Sequence, residues 1–263
     1  MKVLSLNTWC GQIFAPLLQF ISEKATEIDV FCFQEVMSTD TEIKESHACR
    51  MNLFEELQQV LPNHHGYFAV AQDGVDIEGP VDFQTSFGLA MFIRKDLKVN
   101  KVGDVFVFRH KNACQFNNAD QHAAVTMGRN MQYAEIETAQ GLYTICNLHG
   151  LWNGQGKSDS PDRIQQSHQI TSFLQQALGK KILGGDFNLS PETESLQIIK
   201  TGLIDLIDQY NIQSTRSHYY RHYGEKDSNF ADYMLVSPDI IVQDFRVLPD
   251  VVSDHLPLYL DCV

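Results

Sequence analysis

The sequence has 263 residues, of which 43% are hydrophobic and 20% charged, the balance of an ordinary soluble globular protein that can bury a sizeable core. The formal net charge of -13 disfavours long, nonspecific stretches of nucleic acid as partners, because such binding depends on lysine and arginine meeting phosphates. A local basic patch would still leave a nucleic-acid substrate open. No apolar run has the length of a membrane span and no signal peptide is recognisable, so we expect a cytoplasmic protein.

The cysteines and the linker pattern indicate a reduced, undivided chain. None of the six cysteines stands in a C-x-x-C pair, which leaves a zinc or thioredoxin-like site without support. Several lie in apolar runs, where a free cysteine behaves as a small hydrophobic residue, so we interpret them as structural. No repeat, low-complexity tract or Pro/Gly/Ser-rich linker divides the chain. We therefore predict one domain over residues 1–263, acting as a monomer.

Hydrophobic periodicity in the first third of the chain predicts alternating strands and helices. Residues 2–8 alternate like a strand, and apolar positions from 14 to 28 form a helical face. The short apolar run 29–33 is typical of a buried strand, and a helix is predicted over 51–61. The segment 73–85, rich in Gly, Asp and Pro, indicates a loop.

The same alternation continues to the end of the chain. Ser160 is predicted to cap a helix whose first turn contains a proline, and a glycine ends that helix. Further strands are predicted over 87–93, 131–138, 141–148, 181–183, 232–237 and 256–262. Strands mixed with helices favour two layers of sheet with helices outside, although periodicity alone does not separate this arrangement from a doubly wound sheet.

Polar residues that can bind metals or carry protons stand at the ends of these strands. Carboxylate and amide oxygens suit Mg²⁺ or Mn²⁺, and histidines can bind or protonate phosphate oxygens. An aspartate beside an asparagine can take a proton from a water molecule and orient it. The set consists of Asn7, Glu35, His149, Asp186, Asn188, Asp232, Asp254 and His255.

Each of these residues also has a purely structural explanation. Residues 186–188 can form an Asx turn, and residues 253–255 can cap a turn before Pro257. A lone glutamate after an apolar strand is usually a solvated end. The joint, ordered set is much harder to obtain by chance than any single member of it.

Six segments carry a resemblance to a known family. They resemble, in order, the signature blocks of the endonuclease/exonuclease/phosphatase (DNase I-like) superfamily, and they run from near the first residue to near the last. The resemblance implies a four-layer α/β sandwich, in which helices flank two packed mixed β-sheets and the active site lies at one edge of the sheets. The segments are Asn7-Thr8-Trp9, Phe33-Gln34-Glu35, Asn147-Leu148-His149, Gly185-Asp186-Phe187-Asn188, Asp232-Tyr233-Met234-Leu235-Val236-Ser237 and Ser253-Asp254-His255.

The resemblance implies a metal ion and a nucleophilic water on one side of the site. Glu35 resembles the main Mg²⁺ ligand, with Mn²⁺ as a substitute, and Asn7 lies beside it. Asp254 would support the metal directly or through water. Asp186 resembles the residue that activates the attacking water, and Asn188 would orient the phosphate or the water.

Three further residues are implied to handle the phosphate and the leaving group. His255 resembles the histidine that contacts the scissile phosphate, and Asp232 would orient it. His149 matches a histidine of the DNase I and sphingomyelinase branches and is a candidate general acid. The implied reaction is in-line attack of water on phosphorus, with His149 or a water on the metal protonating the leaving oxygen.

Residues outside these segments are candidates for choosing the substrate. Arg216 and Arg221 belong to a cationic, aromatic cluster over 216–222 that could grip a second phosphate or stack on a ring, or could be an ordinary polar loop. Glu78 or Asp82 could orient His149. The glycine-rich segment 152–157, which follows His149, is expected to shape the rim of the site. Arg163 could face the site or only complement its own helix.

The sequence therefore predicts a divalent-metal-dependent phosphoester hydrolase, either a phosphodiesterase or a phosphatase. The scattered basic residues favour a small phosphodiester, a phosphomonoester or a nucleic-acid end as substrate. A DNA or RNA nuclease, or an end-processing enzyme, is the alternative within the same superfamily. A catalytically inactive binding module is a further alternative, although every signature position holds a chemically competent residue.

Overall fold

The computed structural model describes residues 1–114, 127–225 and 228–263. The helices are α1 (Phe14–Lys24), α2 (Leu53–Val60), α3 (Pro161–Gln176), α4 (Glu194–Lys200) and α5 (Leu206–Gln209), and a 3-10 turn covers Trp9–Gly11. The strands are β1 (Lys2–Asn7), β2 (Val30–Ser38), β3 (Glu45–Ser46), β4 (Cys49–Arg50), β5 (His64–Asp73), β6 (Ser86–Arg94), β7 (Lys98–Phe108), β8 (Arg129–Thr138), β9 (Gly141–His149), β10 (Lys180–Asp186), β11 (Ile204–Asp205), β12 (Asp232–Val236), β13 (Val242–Val247) and β14 (Leu258–Cys262).

Most of the strands form two six-stranded sheets. The first has the order β13-β14-β1-β2-β6-β5, and the second has the order β11-β12-β10-β9-β8-β7. Each contains one parallel pair near its centre, β1 with β2 and β9 with β10, among antiparallel neighbours. The predicted architecture of two mixed sheets with flanking helices is therefore confirmed.

Apolar side chains on both faces of the central strands build the layers. Along β2, Cys32 faces the core shared by the two sheets, whereas Phe31 and Phe33 pack on the opposite side among residues of α1 and α2. In the second sheet, Tyr133 of β8 meets Phe173 of α3 with ring centroids 4.9 Å apart. Strands buried on both faces explain why the sequence shows continuous apolar runs instead of strict alternation.

A buried polar bridge crosses between the sheets. Gln34 of β2 donates from Nε2 to Oδ1 of Asn147 on β9 at 2.6 Å. The Asn147 amide donates in turn to the carbonyl oxygens of Phe33 at 3.0 Å and Ala90 at 3.2 Å. Because unmatched amides are costly in a core, these bonds fix how the two sheets lie against each other beside the strand ends.

The hydrophobic periodicity of the sequence did not predict three of the edge strands. Strands β5, β7 and β13 stand at the ends of the sheet orders, and much of their surface is only partly buried. Partial burial leaves a weak apolar pattern, since only one face needs to be hydrophobic. In the described ranges, no helix combines the length and the apolar character needed to cross a membrane.

Candidate active site

The two parallel strand pairs bring the predicted polar residues to one edge of the sandwich. Asn7 is the last residue of β1, and His149 and Asp186 are the last residues of β9 and β10. The register pairs Asp186 with His149 on one side and with Asp232 on the other. Chain segments that lie far apart in sequence therefore supply one site.

A cleft of about 1370 Å³ opens at this edge. Asn7 and Asp232 are buried beneath it, at 0% and 3% exposure, and hold the residues that line it. The predicted site residues that line the cleft are Glu35, His149, Asp186, Asn188, Arg216, Arg221, Asp254 and His255.

Asn7 joins the carboxylates of the two sheets. Its Nδ2 donates to Glu35 Oε1 at 3.0 Å and to Asp186 Oδ2 at 3.1 Å, while its Oδ1 accepts from the Trp9 amide at 2.9 Å. Burial raises the pKa of Glu35 to about 7, and the negative charges of Asp254 and Asp186 add to that shift. Carboxylates crowded in this way favour a cationic ligand between them.

The backbone at Glu35 differs from the predicted strand end. Strand β2 continues to Ser38, and its register with β6 shifts between Phe33 and Val36. Glu35 lies in that irregularity with a φ of 54°, in the left-handed region. A bulge of this kind re-aims a side chain, and here it turns the Glu35 carboxylate toward the cleft.

His149 lies against both carboxylates. Its Nε2 is 3.7 Å from Glu35 Oε1 and 4.0 Å from Asp186 Oδ2. On the other side of the ring, Nη1 of Arg129 is 3.5 Å from Nδ1. Burial, followed by the charge of Arg129, holds the pKa of His149 well below its usual range, so the imidazole is neutral at physiological pH.

The loop that was predicted to orient His149 has other contacts. Oε2 of Glu78 lies 3.3 Å from Nε2 of His47, and the Glu78 side chain is mostly exposed. His47 also contacts the buried Asp76 at 2.6 Å through Nδ1. The described contacts of His149 therefore give no support to Glu78 as its orienting group.

The structural and functional interpretations of residues 186–188 hold together. The Asn188 amide donates to Asp186 Oδ1 at 2.9 Å, which is an Asx turn. Asn188 has a φ of 53°, which asparagine tolerates better than most residues, and its Nδ2 donates to the Gly150 carbonyl at 3.3 Å. The turn fixes one oxygen of Asp186 and leaves Oδ2 facing the site.

A second buried pair lies next to Asp186. His255 Nδ1 is 2.8 Å from Asp232 Oδ1, and Thr215 Oγ1 donates to Asp232 Oδ2 at 2.8 Å. The other ring nitrogen, Nε2, is 3.5 Å from Asp186 Oδ2 and accepts from Nη1 of Arg216. Burial and the Arg216 charge lower the pKa of His255 to about 4, while burial raises the pKa of Asp232 to about 6.

The predicted cationic cluster divides in the structure. Arg216 is buried and pairs with Asp254, with 3.1 Å between Nη1 and Oδ2. Its guanidinium lies 4.1 Å from the ring centroid of Tyr220, and its backbone bridges to His255. Arg221 is exposed at the rim of the cleft.

Arg163 has neither of its two predicted roles. It is fully buried, and its guanidinium donates to the carbonyl oxygens of Leu151, Gly156 and Ser158. These bonds shape the loop that follows His149 and carries Lys157 into the cleft wall. Arg163 therefore acts on the site only through the loop.

The arrangement fits a divalent cation. Ligand atoms of Glu35, His149 and Asp186 lie within 4.8 Å of one another, and so do those of Asp186, Asp232 and His255. The carboxylates of these groups are oxygen ligands that suit Mg²⁺ or Mn²⁺. Asp254, predicted to support the metal directly or through water, lines the same cleft and accepts a hydrogen bond from Arg216.

Arg129 and Lys157 are the site residues whose importance the sequence did not indicate. Arg129 opens β8 beside β9, and burial lowers its pKa to about 10. Lys157 sits in a glycine-rich loop without a motif. Neither belongs to a signature segment, so only the spatial arrangement identifies them.

Comparison with solved structures gives the same fold. Human Nocturnin, as its catalytic domain with bound sulfate, is 16% identical with a TM-score of 0.68, and the match covers 100% of this chain and 94% of that one. A Bacteroides thetaiotaomicron mannosyl-6-phosphatase is 17% identical with a TM-score of 0.67, covering 100% and 99%. D. rerio TDP2, humanized by 14 mutations, is 14% identical with a TM-score of 0.64, covering 100% and 98%.

Comparison at the level of sequence identifies the family. No match to the chain was found among curated proteins. A model of the Endonuclease/Exonuclease/phosphatase family matches residues 4–255, which span nearly all of the sequence and contain every signature segment. The chain therefore belongs to the endonuclease/exonuclease/phosphatase family.

Proposed function

We propose that this protein hydrolyses a phosphoester with the help of a divalent metal ion, by in-line attack of water on phosphorus. The proposal rests above all on Asp186, whose Oδ2 accepts a hydrogen bond from Asn7 and lies within 4.0 Å of Nε2 of both His149 and His255. Members of the family are generally phosphoester hydrolases, and the similar structures include a mannosyl-6-phosphatase. A complete set of competent residues argues against an inactive binding module.

The metal is proposed to bind at Glu35 and Asn7, with Asp254 supporting it directly or through water. Bound there, Mg²⁺ or Mn²⁺ would supply positive charge to the phosphate oxygens. The side-chain amide of Asn7 donates to the carboxylates of Glu35 and Asp186 and so holds them next to each other. His149 is neutral in this environment, which favours a role as ligand or hydrogen-bond partner over that of a protonated general acid. The leaving oxygen would then take its proton from a water molecule in the cleft.

Asp186 is the proposed base. Its Oδ1 is held by the Asn188 amide, so Oδ2 can accept a proton from a water positioned in the cleft. Asn188 has its own backbone and side chain fixed at the turn. A base whose carboxylate is already oriented needs no rearrangement when the water attacks.

His255 and Arg216 are proposed to face the phosphate. Asp232 accepts a hydrogen bond from Nδ1 of His255 and so directs Nε2 toward Asp186 and the cleft. Because His255 is neutral, Arg216 beside it carries the permanent positive charge that can stabilise a developing phosphorane. Arg221, at the rim, is proposed to contact more distant parts of the substrate.

The test is hydrolysis of a substrate panel with Mg²⁺, with Mn²⁺ and with EDTA, using wild type and Asp186→Asn. The panel contains 4-nitrophenyl phosphate, bis(4-nitrophenyl) phosphate, RNA, and single- and double-stranded DNA. We expect metal-dependent turnover, and a loss of about 10²- to 10⁴-fold in Asp186→Asn, because a positioned base contributes that much.

A matched control distinguishes the site from a general effect of lost charge. Asp239 is an exposed aspartate beyond the opposite end of β12 from Asp232. Asp239→Asn should keep wild-type turnover. Absence of metal-dependent turnover on every substrate, with metal binding retained, would instead favour the binding module. Preferred cleavage of DNA or RNA would favour the nuclease alternative.

A further inference from the structure

Lys157 carries a buried charge whose hydrogen-bond partners are neutral. The residue is 7% exposed, and its Nζ donates to the carbonyl oxygen of Phe230 at 2.6 Å and approaches that of Ser228 at 3.5 Å. Among residues 1–114, 127–225 and 228–263, no carboxylate lies within ion-pair distance of this ammonium. A buried ammonium with no described carboxylate in direct contact is costly, so its retention in a cleft wall points to an anionic ligand.

The neighbouring cation increases that cost. Lys157 Nζ and the Arg216 guanidinium lie 5.1 and 4.1 Å from the same Tyr220 ring centroid. Arg216 pairs directly with Asp254, whereas the described hydrogen bonds of Lys157 go to backbone carbonyls, and Asp186, Asp232 and Asp254 attract its charge only from beyond ion-pair distance. Burial, followed by repulsion from Arg216, lowers the pKa of Lys157 to about 8. Two like charges on one ring are best accommodated when an anion lies between them.

The position of Lys157 is built into the fold. Arg163 donates to the carbonyl of Gly156 at 2.7 Å, one residue before Lys157. The Ser190 amide donates to the Lys157 carbonyl at 3.0 Å, which ties the loop to the segment that follows Asp186. Lys157 thus lines the same cleft as Asp186 and His255.

We propose that Lys157 binds the additional anionic oxygen of a phosphomonoester, so that the substrate is a monoester and not a diester. This inference rests on the proposed hydrolase function. A monoester is a dianion near neutral pH, whereas a diester carries one negative charge and a second carbon substituent. That substituent would leave the Lys157 ammonium buried without an anion, whereas the extra oxygen of a monoester pairs with it.

The rim of the cleft indicates the kind of alcohol that the phosphate esterifies. At the mouth, the exposed carboxylates of Asp159, Glu192 and Glu225 outnumber the exposed cation of Arg221 and disfavour further negative charge on the substrate. Trp9 and Trp152 offer flat, half-buried ring surfaces at the same mouth. The substrate class is therefore a phosphomonoester of a small, uncharged alcohol.

The experiment compares two substrates with the same leaving group, 4-nitrophenyl phosphate and methyl 4-nitrophenyl phosphate. Wild type should prefer the monoester in kcat/KM. Lys157→Met should lower kcat/KM for the monoester by about 10- to 100-fold, the value of a charge-assisted contact, and leave the diester nearly unchanged. Lys157→Arg should recover part of the preference, because it restores the charge.

Two controls separate this role from a structural one. Lys95 also donates from Nζ to a backbone carbonyl, that of Pro62 at 2.7 Å, but it is exposed. Lys95→Met should leave both rates unchanged. Thermal unfolding and circular dichroism of Lys157→Met would establish that it is folded. Calorimetric titration with inorganic phosphate should give weaker binding to Lys157→Met than to wild type, independently of turnover.

Two results would overturn the inference while leaving the proposed function intact. One is a preference of wild type for the diester. The other is an equal loss of both activities in folded Lys157→Met, which would make the residue a structural tie between the loop and Phe230. In both cases Asp186→Asn would still lower turnover by about 10²- to 10⁴-fold. If wild type hydrolysed neither substrate and phosphate bound both proteins equally, the function and the inference would fail together.

Discussion

At the scale of single residues, the site contains ionisable groups whose charged forms are disfavoured by burial and by neighbouring charges. Burial and the negative charges of Asp254 and Asp186 oppose the ionisation of Glu35. His149 and His255 are held neutral, since burial lowers the pKa of each. Perturbed groups of this kind concentrate at functional sites. A divalent cation would offset most of this unfavourable electrostatic energy. The free energy of unfolding, measured with and without the metal, therefore tests whether the site binds it.

Glu35→Gln tests that expectation without an assay of activity. The raised pKa of Glu35, about 7 against an ordinary 4.5, means that its contribution to stability is complete below pH 4.5 and is lost as the pH rises through 7. Glutamine keeps the acceptor for Asn7 but never ionises. In EDTA at pH 8 we therefore expect Glu35→Gln to be more stable than wild type, by up to about 3 kcal/mol.

Urea unfolding at pH 5 and pH 8, with EDTA and with Mg²⁺, measures this difference. The advantage of the variant should shrink toward pH 5 as wild-type Glu35 takes up a proton. Added Mg²⁺ should stabilise wild type more than the variant, because the metal binds the folded state through the carboxylate. Equal stabilisation of the two proteins by Mg²⁺ would argue against Glu35 as a metal ligand.

At the scale of elements, β10 is the strand on which the site depends. It pairs in parallel with β9 and antiparallel with β12, and this register sets Asp186 between His149 and Asp232. Gly185 permits the close pairing, since a Cβ there would lie 2.0 Å from the Leu148 carbonyl oxygen. The glycine before Asp186 is therefore part of the geometry of the site.

Gly185→Ala is expected to lose about 3 kcal/mol or more of unfolding free energy, because both the clash and a φ of +144° oppose a side chain. Gly141→Ala is the matched control. Gly141 also has a positive φ, of +118°, but a Cβ there meets nothing within 4 Å. Denaturant unfolding of both variants isolates the clash, and equal losses would show that only backbone strain matters at Gly185.

At the scale of the whole molecule, three buried cations lie among the carboxylates of the cleft in an acidic protein. The net charge is -13, yet Arg129, Arg216 and Lys157 are all buried around the site. Such a distribution repels long polyanions and still accepts one phosphate that fits the pocket. The charge therefore favours small substrates over nucleic acids.

Fluorescence anisotropy with a labelled DNA duplex tests this view. With Asp186→Asn, which prevents cleavage, we expect binding weaker than about 10⁻⁴ M at physiological salt, below the usual nonspecific range. Wild type in EDTA serves as the control for any effect of the substitution. Tight binding that weakens steeply with added salt would contradict the expectation and would favour the nuclease alternative.

The sequence by itself determined the order of the signature residues and the strands that carry them. Central strands are buried on both faces, so their apolar runs are continuous, and the polar residues after them stand out locally. Asn7, His149, Asp186 and Asp232 were predicted at strand ends for that reason and lie there. The edge strands β5 and β7 escaped prediction because their half-exposed faces leave little pattern.

Only the tertiary structure decided how these residues act on one another. Asn7 and Asp186 are 179 positions apart, and Arg216 meets Asp254 across 38 positions, so no local pattern could reveal either contact. The bulge that turns Glu35 inward depends on its pairing with β6. Lys157 likewise contacts the carbonyl of Phe230 only because its loop packs beside that residue in the folded chain. Burial and charge compensation are properties of the packed chain and not of its local sequence.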